Sequence, residues 1–365
     1  MLKSITVTNF KGFKNPITLD LSQTRDYEFN SFLLRNRLVN KALIYGKNGC
    51  GKTNLGLAIF DITQHLTDYE KSEIRYKSYL NYENRSPARF DFIFQFDNTT
   101  IEYSYEKSGY NLLSFESLIV NGEKYLSADY KKKVFKINTM DDYLQNLRLP
   151  ELDSSLSLVK YVYSHSEKKT DAPITKMMDF VSGMLWFRAL DDGRGFIGLK
   201  SGSASMDELV IKNNKLKEFE KFLKENEVNY KLTVFKNADK EQIGVDFNGQ
   251  VVPLSWVASS GTWSLWLFFS WELFFNEITF LFLDEFDAFY HYETSECVLN
   301  KTNSNPNMQA IVTSHNTSLM NNKLTRPDCC FIMSGGYVKA LCDCTDKEIR
   351  EAHNLEKMYR NGAFV

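Results

Sequence analysis

Gly46-Lys47-Asn48-Gly49-Cys50-Gly51-Lys52-Thr53 stands in the GxxxxGK[ST] spacing of a phosphate-cradling loop. Before it, Lys41-Ala42-Leu43-Ile44-Tyr45 is an apolar run that predicts a strand. After it, Asn54-Leu55-Gly56-Leu57-Ala58-Ile59-Phe60 predicts a helix, continuing to residue 70. Glycines let successive backbone N–H groups turn inward where a side chain would block them, and a helix start adds partial positive charge. The pattern predicts that Lys52 reaches the β- and γ-phosphates of a nucleotide and that the Thr53 hydroxyl holds Mg²⁺. Gly46, Asn48, Gly49, Cys50, Gly51, Lys52, Thr53 and Asn54 are the candidate nucleotide-binding residues. The plain alternative is a glycine-rich turn that happens to contain a lysine.

The chain has 365 residues, enough for a sizeable core. Its formal net charge of −2 gives no global nucleic-acid signal, although a local basic face is compatible with it. Met1-Leu2-Lys3-Ser4-Ile5-Thr6 lacks the apolar core of a secretory signal. The most apolar stretch, Leu265 to Leu283, contains Glu272, Asn276 and Glu277, which predicts a buried helix and strand, not a membrane span. The six scattered cysteines, one inside the phosphate loop, suit a reducing cytoplasm. Cys342-Asp343-Cys344 has no second ligand pair at zinc spacing and reads as strand-end residues.

Along the chain, Ile5–Phe10 and Ile17–Leu21 read as strands around a Lys11-Gly12-Phe13 turn, and residues 22–40 and 71–89 as polar and irregular. Phe90–Phe96 alternates like a half-exposed antiparallel strand. Ile101–Tyr105 follows a tight turn, and Leu118–Tyr125 carries an Asn121-Gly122 hairpin. Residues 127–245 mix helices with polar loops. They include the basic runs Lys131-Lys132-Lys133 and Lys168-Lys169, and loops at Asp191–Gly195 and Ser201–Ser205. An amphipathic helix follows through Leu216, Phe219, Phe222 and Leu223, then a hairpin at Asn248-Gly249. The expected organisation is one discontinuous domain: core 1–88, antiparallel β-arm 89–126, helical and mixed insert 127–245, and core 246–365. Thr345-Asp346-Lys347-Glu348 reads as a capping box opening a helix that stops at Asn361-Gly362.

Far downstream, Phe280-Leu281-Phe282-Leu283 runs into Asp284-Glu285, as a buried parallel strand with acids at its carboxyl end would. Asp284 would bind Mg²⁺, directly or through water; Glu285 would orient and deprotonate an attacking water. Ala310-Ile311-Val312-Thr313-Ser314-His315 is a second such strand, whose histidine is placed to hydrogen-bond a γ-phosphate or to serve structurally. Ala258-Ser259-Ser260-Gly261-Thr262 opens the aromatic run from Trp263 to Phe275. Its small residues can offer N–H groups to an anion, or merely cap a buried helix.

The order of these pieces resembles an ABC-type ATPase head of the SMC/RecF/OLD-like group, within the broader AAA-type prokaryotic ATPases. Asn9-Phe10-Lys11-Gly12-Phe13 resembles that group's N-terminal strand, and Ser259-Ser260-Gly261-Thr262 its signature loop. Asp284-Glu285-Phe286-Asp287 resembles Walker B with the D-loop, and Ser314-His315 the switch histidine. Asp284–His291, Arg326-Pro327-Asp328-Cys329 and His353–Tyr359 resemble stand-alone ATPases of anti-phage loci, the AbiL/RloA-like proteins and the Septu ATPase PtuA.

The resemblance implies an α/β P-loop NTPase with a mainly parallel central sheet, and ATP and Mg²⁺ as its ligands. Glu285 and His315 would be catalytic, with Thr53, Asp284 and a Q-loop glutamine on the metal. Gln95 is the candidate for that glutamine and Gln64 the alternative. Ser259, Ser260 and Gly261 would act in trans, across a homodimer or higher oligomer, with Asp287 in the D-loop. The expected partner is a separately encoded nuclease-like effector, and the expected location is cytoplasmic. The alternative function is that of a RecF- or SMC-like DNA-binding repair ATPase. Roughly 200 residues separate Thr53 from Ser259 and show no sustained heptads, which disfavours a long coiled-coil arm. Asn322-Lys323-Leu324-Thr325 has threonine where a guanine-reading aspartate should stand, which disfavours GTP.

Overall fold

The computed structural model describes residues 1–365 apart from 70, 72, 139–143, 145–146, 168, 189–195, 200–204, 238–239 and 365. The predicted loops at Asp191–Gly195 and most of Ser201–Ser205, with Lys168, lie outside the described residues.

The chain builds two seven-stranded sheets and a small third one. The central sheet has the order 196–198, Met184–Arg188, Phe280–Asp284, Gln309–Ser314, Lys41–Tyr45, Cys330–Ser334, Tyr337–Ala340. Its five inner strands are parallel and its two edge strands antiparallel. Both faces of the inner strands are buried, which explains their unbroken apolar runs. Alternate residues feed different cores. Trp186, Phe280, Phe282, Ile311 and Ile44 face one apolar cluster. Leu185, Leu281, Leu283, Val312 and Leu43 face the other.

The loop helix Lys52–Phe60 lies in the first core, between the central sheet and the second, fully antiparallel sheet. It is apolar on every side for that reason. A Cβ at Gly56 would sit 2.7 Å from the Phe282 ring, so the glycine sets how closely helix and strand approach. The helix is shorter than predicted: it ends at Phe60, and a separate one-turn α-helix spans Thr63–Leu66.

The antiparallel sheet runs Val134–Ile137, Glu123–Asp129, Leu112–Val120, Thr99–Gly109, Ala88–Phe96, Leu2–Thr8, Ile17–Asp20. The hairpins of residues 89–126 are thus continuous with the N-terminal strands, through the pairing of Leu2–Thr8 with Ala88–Phe96. Asn121-Gly122 takes φ of 50° and 83°, and Asn248-Gly249 takes 55° and 97°, as tight hairpin turns require.

The second core packs the central sheet against helices Met206–Lys212, Leu216–Glu225 and Ser260–Glu272, with the small sheet Leu232–Asn237, Lys240–Phe247, Gln250–Pro253 beside them. The aromatic run is buried, as its composition predicts. Two expectations fail. Residues 127–245 contribute Met184–Arg188 to the central sheet as an inner strand next to one edge, where helices and polar loops were expected. The tail helix opens at Leu355, capped by Asn354, whose side chain accepts the Lys357 N–H at 2.8 Å; Thr345–Glu348 opens none. That helix brings Tyr359 edge-on to Tyr45, with ring centroids 5.0 Å apart.

A buried polar cluster ties the loop helix to the antiparallel sheet. Asp61, just past the helix, accepts from Lys107 Nζ at 2.7 Å, Tyr105 Oη at 3.0 Å and Tyr79 Oη at 2.9 Å. Asp61 and Lys107 are both fully buried. Removing one member of such a pair strands the other's charge. Asp61→Ala is expected to cost about 3–5 kcal/mol in chemical denaturation, and Asp61→Leu with Lys107→Met to recover most of it.

Candidate functional site

The loop between Tyr45 and Lys52 turns through Gly49 at φ 78° and Gly51 at φ 109°. A Cβ on Gly46 would lie 2.5 Å from Cys50 Sγ and 2.9 Å from the Met333 carbonyl. One on Gly51 would lie 2.7 Å from the Phe13 ring. The loop therefore excludes side chains and leaves a backbone cradle facing the first turn of the helix, whose leading N–H groups have no partner within the helix. That donor set fits the phosphates of a nucleotide. Lys52 folds back over the loop: Nζ donates to the Gly46 carbonyl at 2.8 Å and lies 3.2 Å from both ring nitrogens of His315. Burial holds the lysine below its ordinary pKa, against the upward pull of Cys50, Glu285 and Asp284.

Strand register assembles the acids. Arg188 pairs with Asp284 across one parallel ladder, and Leu283 with Val312 and Thr313 with Ile44 across the next two. Asp284 therefore lies between Arg188 and Thr313. Thr313 Oγ1 donates to Asp284 Oδ1 at 2.9 Å and accepts the Glu285 N–H at 2.8 Å. Asp284 Oδ2 is buried and accepts no hydrogen bond among the described residues; it lies 3.7 Å from Arg188 Nε. Burial raises the Asp284 pKa, opposed by the Thr53 hydroxyl, Arg188 and Thr313. A buried carboxylate oxygen without a donor, next to a threonine hydroxyl, is the oxygen donor set a small hard cation takes. Thr53 and Asp284 thus fit Mg²⁺.

Glu285 adopts φ 48°, a left-handed conformation that costs a non-glycine residue about 1–2 kcal/mol. Its Oε1 lies 3.0 Å from His315 Nε2, and its Oε2 accepts from Arg188 Nη2 at 2.5 Å. Burial works against the charged carboxylate, but the His315 and Arg188 hydrogen bonds outweigh it and hold the Glu285 pKa below the ordinary range. Ser314 Oγ donates to Asp287 Oδ2 at 2.5 Å and accepts the Asn316 N–H at 2.8 Å, which fastens the turn after Glu285 to the turn carrying His315. The structure therefore gathers Lys52, Thr53, Asp284, Glu285, Asp287 and His315 at one sheet edge.

Ser259, Ser260 and Gly261 are not in that group. Ser259 caps the apolar helix, its Oγ accepting the Thr262 N–H at 3.2 Å. Ser260 is exposed, and a Cβ on Gly261 would lie 3.0 Å from the Phe289 carbonyl. No described hydrogen bond or ion pair links the three to the phosphate loop.

Both glutamines are placed elsewhere. Gln95 donates to the Asp97 carbonyl at 2.6 Å and accepts from Thr100 Oγ1 at 2.8 Å. Its neighbours Phe94 and Phe96 pack on Phe180, which also packs on Phe280, at the opening of the strand that Asp284 ends. At ~3.3 Å per residue that is about 13 Å from the acid. Gln64 accepts from Tyr110 Oη at 2.8 Å, beyond the far end of a loop helix about 13 Å long. Neither glutamine fits the metal position, contrary to the expectation from the resemblance. The residue sequence reasoning missed is Arg188. Its signal was faint: Met184-Leu185-Trp186-Phe187 is a short apolar run ending in a charge, the pattern that marks Phe280–Glu285.

Because Thr313 serves two acids, Thr313→Val is expected to cost about 1–3 kcal/mol in urea or guanidinium denaturation, whereas Thr313→Ser should be close to neutral.

Residues 41–321 match the family model described as "AAA domain, putative AbiEii toxin, Type IV TA system". No curated protein matches the chain. Among solved structures, the SMC head domain from Thermotoga maritima is 16% identical, with 93% of this chain and 97% of that one covered and a TM-score of 0.44. The recombination mediator RecF with ATP is 16% identical, covering 93% and 99%, at 0.41. The Smc head with an extended coiled coil, bound to the C-terminal domain of ScpA derived from Pyrococcus furiosus, is 13% identical, covering 93% and 95%, at 0.40. The matched span takes in the phosphate loop and the acid-ended strand Phe280–Asp284, and the chain belongs to this AAA-domain family.

Proposed function

We propose that the protein is an ATP-hydrolysing switch that closes as a dimer around nucleotide and regulates a nuclease-like effector in anti-phage defence. The observation that carries the ATPase part is the convergence of Lys52, Asp284, Glu285 and His315 on the open side of the glycine cradle. The backbone N–H groups of the loop and Lys52 would hold the phosphates. To reach them, Lys52 must leave the Gly46 carbonyl. Thr53 and Asp284 Oδ2 would hold Mg²⁺, which when bound neutralises charge developing on the phosphate oxygens. Glu285, charged at neutral pH, would take a proton from the attacking water at Oε1 or Oε2 once His315 or Arg188 releases that oxygen. His315 lies within reach of both Lys52 and Glu285 and so relates phosphate binding to the base.

Ser259 and Gly261 would be supplied by a second copy, a reading supported by their separation from the loop within one chain. Nucleotide would then favour the closed pair only by its higher affinity for it. The effector role draws on the family's description, which places it among toxin–antitoxin systems, and on the sequence resemblance to defence ATPases.

Glu285→Gln is expected to bind ATP normally, lose turnover about 100-fold or more and accumulate as a dimer with ATP in size-exclusion chromatography. Near wild-type turnover would reject the base assignment. Ser259→Arg is expected to bind nucleotide as tightly as wild type yet elute as a monomer, and a dimer would reject closure through this loop. In gel shifts, duplex-DNA retardation that weakens steeply with salt would favour the repair reading over the effector reading.

A further inference from the structure

Asp284 and Glu285 put two carboxylates side by side, one of them wholly buried. Charges so placed need an answering cation nearby. Lys52 acts on the acids only at longer range: its ammonium faces the Gly46 carbonyl and His315, and it forms no described ion pair with either carboxylate. Arg188 supplies the nearby cation. Its Nη2 lies 2.5 Å from Glu285 Oε2 and its Nε 3.7 Å from Asp284 Oδ2, the oxygen without a hydrogen bond. The placement is built in: Arg188 ends a strand buried in the sheet, and the parallel register sets it opposite Asp284.

We infer that Arg188 is the resident counter-ion of the acid pair and competes with the divalent cation for Asp284. The inference rests on the reading of Asp284 as a metal-holding residue. A guanidinium and a divalent ion beside the same carboxylate repel each other strongly where water is scarce. The arginine therefore keeps the acids neutralised while the site is empty, and metal entry must push it off Asp284 toward Glu285. Empty-site stability is thereby gained at the expense of metal affinity.

The test is Mn²⁺ binding, read as loss of the free-ion electron paramagnetic resonance signal. The protein is used free of nucleotide, so turnover does not enter and no triphosphate competes for the ion. Arg188→Gln keeps hydrogen-bonding capacity but no charge, and is expected to bind Mn²⁺ about tenfold tighter, an order-of-magnitude expectation from removing one like charge. Arg188→Lys keeps the charge without the planar fork and is expected to stay within about twofold of wild type. Arg188→Met, also uncharged, should repeat the tightening, and thermal melts establish that each variant is folded. Unchanged or weaker binding in the uncharged variants overturns the inference while leaving the metal assignment standing. If neither wild type nor variants show a saturable Mn²⁺ site, both the inference and the metal assignment fall.

Discussion

The register of the parallel ladders is the constraint from which the site follows. Parallel strands all end on the same side, so their carboxyl-terminal residues gather at one edge. Here the pairing sets Arg188 against Asp284, Leu283 against Val312 in the next ladder, and Thr313 against Ile44 in the one after. A slip of one residue would turn Asp284 into the opposite core and aim Leu283 at the phosphate loop, because successive side chains point to opposite faces. The unbroken apolar runs make such a slip costly. Phe280 and Phe282 fill the core under the loop helix, and Leu281 and Leu283 fill the other. The packing that makes the sheet stable therefore also fixes which groups meet.

The features legible in the sequence are those whose meaning lies within one contiguous stretch. The glycine loop, the Asp284-Glu285 pair and the Ser314-His315 pair each carry their own apolar strand beside them, and the structure brings them together. Arg188 was not legible because its role is relational. Met184–Arg188 is only five residues long, sits in a stretch of mixed polarity, and acquires meaning from its neighbour in the sheet, nearly a hundred residues away. The glutamine candidates failed for the complementary reason. A residue type was matched without a strand to place it, and both side chains turned out to be bound far from the acids.

The loop helix shows the same division. Apolar continuity predicted a helix to residue 70, yet it ends at Phe60. Buried polar side chains take over just past that point. Asp61 is taken by Lys107, Tyr79 and Tyr105, and His65 lies 2.9 Å from Tyr103 Oη. Tyr103 in turn donates to the buried Glu116, which also accepts from Tyr130 Oη, Ser157 Oγ and the Leu158 N–H. Propensity cannot foresee such partners, because nearly all of them come from the antiparallel sheet and the segment beyond it.

This network changes how residues 89–126 relate to the nucleotide loop. An attached arm could move freely of the core. Strands paired to Leu2–Thr8 and bonded through Lys107 to Asp61 cannot, because separation would leave Asp61 and Lys107 as lone buried charges. Buried ion pairs add little net stability over an apolar substitute, but they penalise every arrangement that breaks them. The pair therefore selects one seating of the antiparallel sheet on the loop helix. Lys52 opens that helix, and Asp61 directly follows its last residue. Any displacement of the helix along its axis, whether begun at the phosphate cradle or at the sheet, must be carried by both ends or resisted by both.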